Sequence, residues 1–148
     1  MTQETTFEEI LERYGKLVYK TKGISMLPML RQNRDLVIIE KPHGRLKKYD
    51  VALYKRGSKY VLHRVIKVRE KDYIIRGDNT YQPEYGISDR NIIGVLTGFV
   101  RDGKETDTAN KKYLIYVHFW CAVYPIRFLY RKVKSFLEKI KRKVFQNR

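Results

Sequence analysis

The chain has 148 residues, enough for one hydrophobic core and hardly for two, and its 43% apolar composition excludes wholesale disorder. A chain of this size needs no disulfides, and the lone Cys121 excludes any within one molecule, which fits a reducing compartment or a chain that does not depend on oxidation. Lys and Arg number 32 against 16 Asp and Glu, for a formal net charge of +16, so an anionic partner is expected: lipid headgroups, nucleic acid or an acidic protein.

The N-terminal stretch Met1 to Glu12 is acidic and has neither the basic nor the apolar region of a secretory signal. The expected location is therefore the cytoplasm, or the periphery of the membrane on its cytoplasmic face. Thr5 or Thr6 can cap a helix, each with a glutamate three residues later, Glu8 or Glu9. Phe7, Ile10, Leu11 and Tyr14 then share a face and Gly15 ends the pattern, which predicts a short helix over 6–15. The period next changes to that of strands. Leu17–Lys22, Leu36–Glu40, Asp50–Arg56, Tyr60–Arg69, Asp72–Arg76 and Asn91–Arg101 are rich in Val, Ile and Tyr with turn residues between them. Arg56-Gly57-Ser58-Lys59 and Glu70-Lys71 read as the turns of antiparallel hairpins. Residues 1–110 are thus expected to form a mainly β domain led by a helix.

The remaining segment, 111–148, holds most of the charge: eleven Lys or Arg and one acid, Glu138. It starts with an apolar stretch, Tyr113 to Ile126, too short to span a bilayer as a helix. From Pro125 the helical period returns, with Ile126, Leu129, Val133, Phe136 or Leu137, Ile140 and Val144 at steps of three and four. Arg127, Arg131, Lys132, Lys134, Lys139, Lys141, Arg142 and Lys143 lie on the other side. Such a basic amphipathic helix either packs on the β-domain with a solvated basic face or lies in an anionic membrane surface. In the second case residues 113–145 form the contact, with Trp120 and the nearby tyrosines at headgroup level. Nucleic acid is disfavoured as a partner, because the aromatics of the tail fall on its apolar face instead of alternating with the basic residues.

Four short segments carry the candidate chemistry. Gly23-Ile24-Ser25-Met26-Leu27-Pro28 places a serine in a turn, where its hydroxyl is exposed and backbone N–H groups can face a developing oxyanion. Asp50-Val51-Ala52-Leu53-Tyr54 and Tyr60-Val61-Leu62-His63-Arg64-Val65 read as strands, the second presenting His63 beside Val61 and Val65. Arg76-Gly77-Asp78-Asn79-Thr80 closes a strand, and Ser88-Asp89-Arg90 follows. Taken singly, each is an ordinary turn or core pattern. His43, His63, His118 and Cys121 have no metal-ligand spacing and no glycine-rich phosphate loop is present, so neither metal nor cofactor is expected.

In order, these segments resemble the signal peptidase clan of serine peptidases, which includes the LexA-like repressors, over roughly Lys16 to Arg101. Histidine at position 63, where most bacterial members carry lysine, resembles the endoplasmic-reticulum and archaeal signal peptidases and the small bacterial peptidases similar to them. The resemblance implies a signal-peptidase/LexA-like β-fold and a serine endopeptidase acting on an extended peptide, with Ser25 as nucleophile and His63 as general base. It also implies an acid to orient His63, for which Asp78 and Asp89 both stand at matching places. The Ser25 N–H would supply part of the oxyanion hole, and Gly23 stands where many relatives carry a serine that completes it. The residues Thr80 to Ser88 separate the two aspartates more widely than the family pattern does. Self-cleavage of the LexA type is not expected, since the sequence contains neither Ala-Gly nor Cys-Gly. The alternative is a non-catalytic module of the same fold that binds anionic membrane or nucleic acid through its basic C-terminal helix.

Overall fold

The computed structural model describes residues 5–146. Helix α1, Phe7–Tyr14, starts on the expected capping box, built on Thr6: its hydroxyl accepts from the Glu9 N–H, and the Glu9 carboxylate accepts from the Thr6 N–H. Gly15, at φ 68°, ends the helix in the left-handed conformation and donates to the Leu11 carbonyl. Leu11, on the apolar face, is buried.

Eight strands follow, every pair antiparallel: β1 Lys16–Lys20, β2 Leu36–Glu40, β3 Val51–Arg56, β4 Lys59–Val68, β5 Tyr73–Arg76, β6 Glu84–Ile87, β7 Ile92–Arg101 and β8 Lys104–Asp107. The order across the sheet is β1-β2-β7-β3-β4-β5-β6, with β8 on β7. A two-residue turn, Gly57-Ser58, closes the β3–β4 hairpin where expected. The described residues are therefore mainly antiparallel β, as the alternating sequence pattern predicts, with three α-helices where the sequence predicts two. Two strands, β6 and β8, were not anticipated. Each has four residues and is largely polar or exposed, so neither shows the apolar alternation that marks a half-buried strand.

Strand alternation builds two cores. Val51 and Leu53 of β3 join Leu11, Leu17, Leu30, Val37 and Leu96 on one side, while Ala52 and Tyr54 join Val65, Tyr73 and Ile75 on the other. Helix α2, Lys111–Ala122, closes the larger core with Tyr113 and Val117. The sequence of this segment does not predict a helix, because its apolar residues surround the axis and leave no 3.6-residue stripe. Helix α3, Tyr124–Gln146, begins one residue before Pro125. Among the described residues no helix is long and apolar enough to cross a membrane.

Candidate active site

His63 and Arg64 are neighbours on β4, so their side chains leave opposite faces of the strand, and each collects its own acid. Arg64, 1% exposed, forms a two-pronged ion pair with Asp78, Nε to Oδ1 and Nη2 to Oδ2, both at 2.7 Å. It also donates to the Tyr49 carbonyl and the Tyr113 hydroxyl. Burial acts against the Arg64 charge, but Asp78 outweighs it and holds the guanidinium protonated. On the other face His63, 6% exposed, places Nδ1 3.0 Å from Glu84 Oε1 and 3.2 Å from the Tyr54 hydroxyl.

Glu84 thus occupies the position for which Asp78 and Asp89 were the sequence candidates. Neither aspartate is hydrogen-bonded to His63. The Asp78 carboxylate is committed to Arg64, and Asp89 accepts from the Tyr73 hydroxyl and pairs with Arg45 at 3.4 Å. Glu84 lies inside the Thr80–Ser88 insertion, where no family motif marks it. Its signal is only that an acid opens a strand, β6, lying against β5. Tyr54 donates to Glu84 Oε1 at 2.7 Å and Arg56 Nε to Oε2 at 3.0 Å. Burial raises the Glu84 pKa, but these hydrogen bonds and the charges of Arg56 and His63 outweigh it, so the carboxylate stays ionised.

Burial depresses the His63 pKa below its ordinary value, with Glu84 acting against that shift and Arg56 adding to it. The ring is therefore neutral at pH 7. A carboxylate acceptor at Nδ1 assigns the proton to that nitrogen and leaves the Nε2 lone pair free. The Cδ2–Nε2 edge of the ring lies against Gly77, which also abuts the Ser25 carbonyl. A Cβ built on Gly77 would lie 2.6 Å from the Ser25 carbonyl oxygen and 3.1 Å from His63 Nε2, so only glycine allows the two segments to approach this closely.

The Gly77-Asp78-Asn79 turn also ties the serine loop in place. Asn79 donates its backbone N–H to the Ser25 carbonyl at 2.8 Å and its side-chain amide to the Ile24 carbonyl at 3.1 Å. At the far end of that loop, buried Asp35 accepts from Arg34, Arg101 and the Arg31 N–H. Ser25 is half-buried, and among the described residues no hydrogen bond joins its hydroxyl to His63. Among the described residues its N–H has no hydrogen-bond acceptor, which leaves that donor open to an oxyanion. The Gly23 N–H is instead donated to Gln32 Oε1 at 2.9 Å, so it is occupied in this state.

Ser25 and His63 open on one cleft of about 590 Å³. Phe7, Tyr19, Met26 and Leu62 supply apolar wall, while Lys20, Lys22, Arg56 and Lys59 bring positive charge to it. One wall is the end of β1, a sheet edge that pairs only with β2. Among the described residues no cluster of His, Cys, Asp or Glu is arranged to hold a metal ion. No family model, curated protein or solved structure matches the chain, and the function is argued from this geometry.

Proposed function

We propose that the protein is a serine endopeptidase of the signal-peptidase/LexA-like fold. The observation that carries this reading is a buried, neutral histidine whose Nδ1 is held by a carboxylate, whose Nε2 edge lies against Gly77 beside the Ser25 carbonyl, and which lines one cleft with Ser25. Ser25 Oγ attacks the carbonyl carbon of a peptide bond as His63 Nε2 takes its proton. The tetrahedral oxyanion is met by the Ser25 N–H, and collapse expels the amine, which receives the proton back from His63. Water then attacks the acyl-serine by the same route, releasing the acid product and restoring the serine. Glu84 keeps the imidazole in the required tautomer and stabilises the imidazolium formed at each transfer.

The substrate is an extended peptide, added alongside the free edge of β1. The aromatic and aliphatic wall suits an apolar side chain, and Lys20, Lys22 and Lys59 favour acidic residues flanking it. Peripheral attachment to a membrane face would bring this cleft to peptides at the lipid surface.

Labelling with serine-reactive acylators of the lipopeptide and β-lactam types, followed by peptide mapping, tests the reading. An adduct on Ser25 in the native chain, lost in Ser25→Ala and in His63→Ala, is the expected result. An adduct that persists in Ser25→Ala removes it as the nucleophile.

A further inference from the structure

Amphipathic helices on soluble proteins turn their apolar stripe inward and their charges to water. In α3 the relation is reversed from its first turns. The side that touches the sheet body is polar and aromatic. Arg127 donates to the Asp78 carbonyl at 3.0 Å and lies over the Trp120 ring, Phe128 stacks near Tyr81 and Tyr124, and the Arg131 guanidinium sits over Tyr81. The apolar stripe faces away: Ile126 is 70% exposed and Leu129 62%. Val133, Leu137, Ile140 and Val144 continue it and are exposed as well. Just upstream, α2 also leaves Ile115 and Phe119 uncovered. The stripe occupies about a third of the helix circumference, at 100° per residue. The remaining arc carries eight Lys or Arg and a single acid, Glu138.

We infer that α3 is an interfacial helix that lies in the surface of an anionic lipid bilayer, its apolar stripe among the acyl chains and its basic flanks against the headgroups. Two observations select this occupant. A continuous apolar stripe must leave water, and the lipid boundary accepts one without shape complementarity. The flanking charge is of one sign, so two copies packed stripe to stripe would bring two strongly positive arcs together, whereas an anionic surface neutralises them. The orientation adds a third point. With the polar side of the first turns held against the sheet body, the stripe is presented outward without any rearrangement of that body.

The inference stands apart from the peptidase reading, because none of these residues is part of the Ser25–His63 site. Co-sedimentation of the full chain with phosphatidylglycerol/phosphatidylcholine vesicles, beside pure phosphatidylcholine vesicles, tests it. Binding to the anionic vesicles is expected, weakened at least ~tenfold without the anionic lipid and again by raised salt. The double variant Leu137→Asp, Ile140→Asp is expected to lose ~tenfold or more of that binding while keeping the thermal melt of the native chain. Ser25→Ala is expected to bind as the native chain does, which separates this result from that of the acylation experiment. Vesicle binding unchanged by the double variant overturns the inference. So does a vesicle-indifferent dimer in sedimentation that the double variant dissociates, which would assign the stripe to a second copy. Tight binding to duplex DNA that excludes vesicles would overturn it in favour of nucleic acid.

Discussion

Glu84 rather than an aspartate is in hydrogen-bond contact with His63, and that has a measurable consequence. Burial lowers the His63 pKa and Glu84 works against the shift, so the proton that blocks the base is bound only below the ordinary value of about 6.5. Acylation should therefore hold its rate from neutral pH down past that ordinary value and fall only below it. Glu84→Gln removes the counter-acting charge, so the acid limb moves to still lower pH while the plateau drops by ~10²-fold or more. A pH profile of acylation for both proteins checks the two effects together; an unchanged plateau would remove Glu84 from the mechanism. Stability follows the same linkage. The unfolded chain binds a proton at His63 more readily, so this group's contribution is present above ~6.5 and is lost as pH falls through the folded value. Gly77→Ala tests the approach of the two segments. Its methyl would meet the Ser25 carbonyl oxygen at 2.6 Å, a backbone atom with little room to yield. Slower acylation and a loss of ~1–3 kcal/mol in urea melts are expected.

At the scale of elements, β4 separates the His63–Glu84 contact from the Arg64–Asp78 ion pair by sending consecutive side chains to opposite faces. Asp78→Ala leaves Arg64 charged, buried and unpaired, which should cost ~3–5 kcal/mol in a thermal or urea melt. Glu84→Ala, at the partly exposed end of the other pair, should cost far less while impairing acylation more. The same alternation explains what the sequence could show. His63 and Arg64 stand side by side in the chain and two aspartates follow, but nothing in one dimension assigns acids to bases. The motif drew attention to Asp78, and the sheet delivers it to Arg64. Helix α1 and the long strands were legible because Thr6, Gly15 and the alternating Val, Ile and Tyr residues state their structure locally. Helix α2 and strands β6 and β8 were not, because their formation depends on surfaces contributed by the rest of the sheet. The C-terminal helix was legible as a helix, yet its two orientations have the same periodicity, and only the contacts of Arg127, Phe128 and Arg131 distinguish them.

For the whole molecule, the stability of the sheet body and the exposed length of α3 should be separable. Beyond Arg131 the apolar residues of α3 are exposed, so a chain ending there should melt within ~2 °C of the native one. It should also lose vesicle binding. A large fall in melting temperature would show that the helix supports the body in a way its contacts do not.

The carboxylate in contact with His63 is carried by β6, which among the described residues is the last strand of the sheet and pairs with β5 alone, through a register irregularity. Opening free energies in a protein are lowest at such margins and highest in strands paired on both sides. Amide hydrogens of β6 should therefore exchange well before those of β3 and β4. Each opening withdraws the carboxylate and leaves His63 without its orienting partner, although the rest of the site stays assembled. If the proposed peptidase reading holds, the competent population is then set by one margin of the sheet, and tightening that margin would raise the acylation rate without altering Ser25 or His63.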